Sequence, residues 1–257
     1  MTADALAFTG VEKSYGRRKV LNGIDLAMPP GEYLALVGVN GAGKSTMLKC
    51  LLDFTAIEAG QIEIFGRDHA GTESRCSLSY LPEKFIPPYY LTGRDFLAYM
   101  ARLHGVPREE GRIREVLSSR LDFDPVELEK PVRQLSKGMS QKLGLAACLL
   151  SDKPMLVLDE PMSGLDPRTR ACLKQYLLEL KGQGKSVFFS THMLADVAAL
   201  CDRVAILHEG VVRFAGTPAE CRRAYGTEDL EAAYLHCVGA VTDTITPDPS
   251  LLNQPLQ

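Results

Sequence analysis

The residues Gly38-Val39-Asn40-Gly41-Ala42-Gly43-Lys44-Ser45-Thr46 match the pattern GxxxxGK[ST]. Glycines at 38, 41 and 43 let the backbone curl until successive N–H groups face one centre. An anion with several oxygens is what such a nest binds. The apolar run Leu34-Ala35-Leu36-Val37 stands directly before the motif, and a helical pattern from Ser45 to Leu52 follows it. Strand, loop and helix in that order separate a phosphate loop from a glycine-rich surface turn, and the helix start adds positive potential. Gly38, Asn40, Gly41, Ala42 and Gly43 would form the cradle. Lys44 would reach the β- and γ-phosphates of a nucleoside triphosphate, Ser45 would ligate Mg²⁺, and Thr46 would bond an α- or β-phosphate. The motif alone does not choose among ATPases, GTPases and kinases.

A second run, Met155-Leu156-Val157-Leu158-Asp159-Glu160, is an apolar strand ending in two carboxylates. Asp159 at such a strand end can hold Mg²⁺ through water. Glu160 can orient or deprotonate an attacking water. The two need distinct environments, because equal ones would raise one pKa against the other. By itself Asp159-Glu160-Pro161 also reads as an ordinary acidic turn; the phosphate loop upstream favours the catalytic reading.

These residues need a scaffold, and the hydrophobic pattern supplies one. Leu6 to Val11 and Val20 to Met28 alternate apolar and polar residues, as two strands joined by a turn do. Further strands are expected at 61–65, 77–81, 155–158, 186–189, 204–207 and 211–214. Helices are expected at 91–103, 109–120, 140–150, 167–180 and 193–200, and shorter ones at 218–225 and 229–238. Gly105 and Pro107 mark a stop after the 91–103 helix. Strands alternating with helices imply an α/β fold with much parallel pairing, and the early alternating strands suggest an antiparallel sheet beside it. The mostly helical stretch from Glu83 to Leu135 reads as a subdomain inserted into the core.

The 257 residues suffice for one large domain or two packed ones, with 46% apolar and 24% charged residues. That composition excludes a disordered chain. The net charge of −3 calls for no nucleic-acid partner. Seven cysteines without CxxC spacing suit a reducing compartment and give no support for a zinc or iron–sulfur site. MTADALAFTG contains Asp4 and lacks a basic region followed by an apolar run, so no signal peptide is expected. No stretch approaches the length of a membrane span.

Taken in order, the motifs resemble the ATP-binding cassette (ABC) ATPases, over about residues 6–216. Leu135-Ser136-Lys137-Gly138-Met139 is similar to the family signature, with Lys137 in place of a glycine and Met139 in place of a glutamine. The resemblance implies that Ser136 and Gly138 contact the γ-phosphate of ATP held by an opposing subunit. A polar cap on the following helix is the plainer reading of that stretch, and the two are compatible. Tyr15 matches the aromatic that stacks on adenine; otherwise it is an exposed tyrosine at a strand end. Ser163-Gly164-Leu165-Asp166 matches the D-loop, where Leu165 and Asp166 would link two sites. Ser190-Thr191-His192 matches the switch-histidine region, with His192 on the γ-phosphate and the attacking water. Glu83, in Leu81-Pro82-Glu83, stands where most members carry the Q-loop glutamine. It could approach Mg²⁺ or its water but cannot donate a hydrogen bond when ionised.

The expected fold is therefore an α/β P-loop NTPase cassette with a mixed, largely parallel core sheet, an antiparallel β subdomain and an inserted helical subdomain at about 84–140. The cassette would span 1–238, with 239–257 a flexible tail. ATP and Mg²⁺ are the implied cofactors. The implied partners are a membrane-spanning permease and a second ATPase subunit, a homodimer in preference to a heterodimer. That assembly would hold the chain on the cytoplasmic face of the membrane. LPE together with LSKGM most resembles the ATPases of ABC-2-type exporters. The rivals are a non-transport ABC ATPase of translation or DNA repair, and a weakly hydrolysing regulatory partner. A single cassette without a basic tract speaks against the first. Intact Lys44, Asp159, Glu160 and His192 speak against the second.

Overall fold

The computed structural model describes residues 3–239; the tail expected at 239–257 falls, from residue 240, outside them. In chain order the strands are β1 (Leu6–Tyr15), β2 (Arg18–Met28), β3 (Tyr33–Val37), β4 (Ala59–Ile64), β5 (Arg67–Asp68), β6 (Leu78–Leu81), β7 (Met155–Asp159), β8 (Ser186–Thr191), β9 (Arg203–His208) and β10 (Val211–Gly216). The helices are α1 (Lys44–Leu51), α2 (Thr72–Arg75), α3 (Gly93–His104), α4 (Glu110–Glu115), α5 (Lys137–Leu149), α6 (Pro167–Gly182), α7 (Leu194–Leu200), α8 (Pro218–Ala224) and α9 (Leu230–Cys237). The described residues divide into two compact units, one formed by the chain up to residue 77 together with the chain from residue 186 onward, the other by residues 78–185.

The first unit carries two sheets. Strands β2, β1, β4 and β5 lie side by side in an antiparallel sheet. In the other, β3 pairs parallel with β8 on one side and β9 on the other, while β10 runs antiparallel to β9. All five residues of β3 and all six of β8 are buried, as befits parallel strands covered on both faces. Tyr33, Phe188, Phe189 and Phe214 are the largest side chains sealed in this core. The β1–β2 register steps from Lys13↔Leu21 to Ser14↔Lys19, which leaves Val20 as the extra residue of a bulge.

In the second unit β6 pairs parallel with β7. Helix α3 opens with a capping box at Thr92 and Asp95 and closes at Gly105 in the left-handed conformation (φ 70°), the stop read from the sequence. The expected 109–120 helix is a correction: only Glu110–Glu115 is α-helical, and Val116–Arg120 widens into a π-helical turn. The wider turn keeps Val116 and Leu117 buried while Arg120 bonds both Glu115 and Glu179 and lies 4.9 Å from the Tyr176 ring centre. Tertiary pairing has overridden local periodicity there. Helix α5 is a second correction, since it starts at Lys137 rather than Ser140.

Candidate nucleotide-binding site

The parallel register sets Val37 beside Thr191 of β8 and Ile206 of β9. The loop 38–43, His192 and Leu207 therefore emerge at the same edge of the sheet, beyond the carboxyl ends of its strands, where open α/β sheets bind ligands. Gly41 (φ 86°) and Gly43 (φ 117°) adopt backbone conformations that other residues rarely tolerate. A Cβ on Gly38 would collide with the Leu207 carbonyl oxygen, and one on Gly43 would stand 3.0 Å from that of Val20. Gly43 opens α1 with no side-chain cap and no acidic residue in the first turn. Helices α3, α5, α6, α8 and α9 are instead capped by Thr92, Ser136, Asp166, Thr217 and Asp229. The first turn of α1 thus carries no acidic residue of its own to compete with a phosphate.

Lys44 is 8% exposed, and its Nζ donates to the carbonyl oxygens of Gly38 (2.5 Å) and Val39 (3.4 Å). The ammonium is held inside the loop it belongs to. Ser45 is exposed on the first turn of α1 and Thr46 is half-buried. The loop is braced from behind. The Gly210 N–H donates to the Ala42 carbonyl (3.2 Å), and the Gly210 carbonyl accepts from Asn22 (2.8 Å). Gly210 has φ 75°, and a Cβ there would lie 2.5 Å from the Val20 oxygen. From the sequence, residues 208–210 are only the gap between the strands expected at 204–207 and 211–214. Their support of the phosphate loop depends on a long-range contact that no local signal announces.

Tyr15 ends β1, half exposed and opposite Arg18. Val20, whose carbonyl abuts Gly43, lies two residues beyond Arg18, roughly 7 Å along the strand. That span is comparable to the nucleoside part of a nucleotide. His192 is exposed directly after β8, and the Thr191 Oγ1 accepts from the Met193 N–H (3.0 Å) to turn the chain toward α7.

In the second unit the pairing Leu81↔Leu158 brings the two strand ends side by side. Pro82-Glu83 continues one, and Asp159-Glu160 ends the other. Asp159 and Glu160 are buried, at 6% and 9% exposure, and Glu83 is exposed. Glu160 has φ 50°, a left-handed conformation uncommon for a residue with a side chain. This break in strand geometry is a strained conformation of the kind that clusters at functional sites. The Tyr80 hydroxyl is pushed up to about 12, first by burial and then by the charges of Asp159 and Glu83. Among the described residues no three His, Cys, Asp or Glu side chains form a metal cluster. Strand-end carboxylates, completed by phosphate and water, are oxygen donors of the kind that Mg²⁺ takes.

Ser136 is the N-cap of α5, its Oγ accepting from the Met139 N–H at 3.2 Å. Lys137, Gly138 and Met139 therefore form the first helical turn instead of a loop before it. A Cβ on Gly138 would stand 3.3 Å from the Gly164 carbonyl, so the small residue also serves close packing. Asp166 caps α6: its Oδ1 accepts from the Thr169 N–H (2.9 Å) and its Oδ2 from the Thr169 hydroxyl (2.6 Å). These two bonds, with Lys142 at 3.3 Å, hold the Asp166 carboxyl well below the usual carboxylate range. The phosphate loop, Tyr15 and His192 belong to one unit. Glu83, Ser136, Gly138, Asp159, Glu160 and Asp166 belong to the other.

A family model described as ABC transporter matches residues 21–163. An uncharacterised ABC transporter ATP-binding protein of Synechocystis sp. is 39% identical over 206 residues, which are 78% of this chain and 57% of that protein. The Nod factor export ATP-binding protein I of Rhizobium sp. is 35% identical over 223 residues, 85% of this chain and 72% of that one. This chain thus spans somewhat over half of the first relative and nearly three quarters of the second. A solved ATP-binding subunit of an ABC transporter superposes with a TM-score of 0.83 at 30% identity, covering 91% of this chain and 99% of that one.

Proposed function

Because the chain belongs to the ABC transporter family, as an ATP-binding subunit with the α/β P-loop NTPase fold, we propose that it hydrolyses ATP to power export through a separate membrane-spanning permease. One observation carries the reading: Glu160, buried and in a left-handed conformation, directly follows the strand-end carboxylate Asp159 in a chain that also holds an uncapped phosphate loop. Lys44 and the N–H groups of residues 38–43 bind the phosphates, and Tyr15 carries the adenine. Ser45, Asp159 and Glu83 are the residues that would hold Mg²⁺, which would supply positive charge to the phosphate oxygens. Glu160 takes the proton of the attacking water, and His192 fixes that water and the γ-phosphate. Ser136 and Gly138 of a second copy close over the same phosphate, and Asp166 lies along the seam between copies. In-line displacement then depends on alignment and charge stabilisation.

The exposed side chains of Ile86, Tyr89, Tyr90, Tyr99 and Leu103 in the second unit support a protein partner. Large exposed apolar side chains are what a docked partner would cover. No helix among the described residues is long and apolar enough to cross a membrane, so in this reading the span is supplied by the permease. The name of the Rhizobium relative, an export protein, favours the export direction. The expected result for Glu160→Gln is a loss of phosphate release of about 100-fold or more, with Mg²⁺–ATP binding retained. Unchanged turnover in that variant, measured with the wild type alongside, would contradict the role of Glu160.

A further inference from the structure

We propose that Lys13 is a nucleotide-positioning residue whose ammonium, stacked on one face of the Tyr15 ring, fixes that ring for the base on its other face. The inference rests on the reading of Tyr15 as the adenine platform and adds a residue to it.

The Lys13 Nζ lies 5.4 Å from the Tyr15 ring centroid, within the range of a cation–π contact. Residues two apart on a strand share a face, so the backbone of β1 directs both side chains to the same side. Lys13 is half-buried, and among the described residues no carboxylate lies within ion-pair distance of its ammonium. The neighbouring cation Lys19 has such a partner, pairing with Glu12 at 2.9 Å. Lys13 is also placed near the phosphate loop. Its cross-strand partner is Leu21, whose side chain would touch a Cβ on Gly43 at 3.1 Å.

The physical effect is twofold. An exposed tyrosine has several rotamers, and a cation on one face restricts them before nucleotide arrives. The ammonium also draws electron density from the ring, which favours stacking of an electron-rich purine on the opposite face. Both effects act on the base side of the nucleotide, so they apply equally to ATP and ADP.

The test is calorimetric titration of the full chain with unlabelled ADP and ATP, for the wild type, Lys13→Met, Lys13→Arg, Tyr15→Ala and the Lys13→Met/Tyr15→Ala double variant. Lys13→Met should weaken both nucleotides about two- to fivefold, by the same factor for each. Lys13→Arg should bind like the wild type. In the Tyr15→Ala background Lys13→Met should have no further effect. Three results overturn the inference: wild-type affinity in Lys13→Met, an equal loss whether or not Tyr15 is present, or a loss for ATP much larger than for ADP. Tyr15→Ala binding as tightly as the wild type removes the platform reading itself. A weakened Tyr15→Ala beside an unaffected Lys13→Met removes only the role of Lys13.

Discussion

At the scale of single residues, the site depends on backbone conformations that ordinary side chains resist. Glu160 holds φ 50° where a strand would continue, and Gly43 holds φ 117° where a helix begins. The sequence named both residues from motif and spacing, but neither conformation is legible in it. Gly210 has no functional signature in the sequence, because its role comes from a hydrogen bond to Ala42 across 168 positions. Its substitution is informative for that reason. Gly210→Ala forces a Cβ toward the Val20 carbonyl at 2.5 Å in a conformation that alanine disfavours. The expected cost is about 1–3 kcal/mol, seen as a lower thermal midpoint, together with weaker ATP binding through the unbraced loop. A variant with wild-type melting and affinity would show that the turn does not support the loop.

At the scale of elements, the strands that carry the site follow their hydrophobic pattern closely, and the departures have local causes. Helix α5 starts three residues before the expected point because Ser136 offers a cap to Met139, and a capping bond decides a helix start more firmly than periodicity. The π-helical turn at 116–120 arises from the pairing of Arg120 with Glu179, 59 positions away, which a periodic pattern cannot contain. The short pair β5 and α2 was not anticipated at all; Arg67–Asp68 and Thr72–Arg75 are too brief to show a period.

A titrating group sits where β3 begins. Burial pushes the Glu32 carboxyl up from 4.5 to about 7, while the Arg203 guanidinium at 3.5 Å pulls it back and Asp202 adds to the rise. Between those values the folded chain keeps a proton that the unfolded chain releases. Stability should therefore fall as pH rises from about 4.5 through 7, the sign opposite to that of a salt-bridged carboxylate with a lowered pKa. Glu32→Gln should flatten this slope. Urea midpoints measured at pH 5, 6 and 7.5 check it, and an unaltered slope in the variant would exclude Glu32 as its source.

At the scale of the whole molecule, the family and the α/β class were legible because an ordered series of motifs runs from Tyr15 to His192. No single motif carried that information; the phosphate loop alone leaves kinases and GTPases open. The cargo has no counterpart in the residues of the site, whose chemistry concerns only the nucleotide. The central proposal is that one copy completes the ATP site of another, with Ser136 and Gly138 closing over the phosphate held by Lys44. Light scattering of Glu160→Gln with saturating Mg²⁺–ATP measures this most directly. The expected mass is that of two chains with ATP and one chain with ADP, and adding Ser136→Asp, which keeps the helix cap but sets a carboxylate against the phosphate, should return the protein to one chain. A single-chain mass for Glu160→Gln at saturating ATP, or a dimer indifferent to Ser136→Asp, would contradict it.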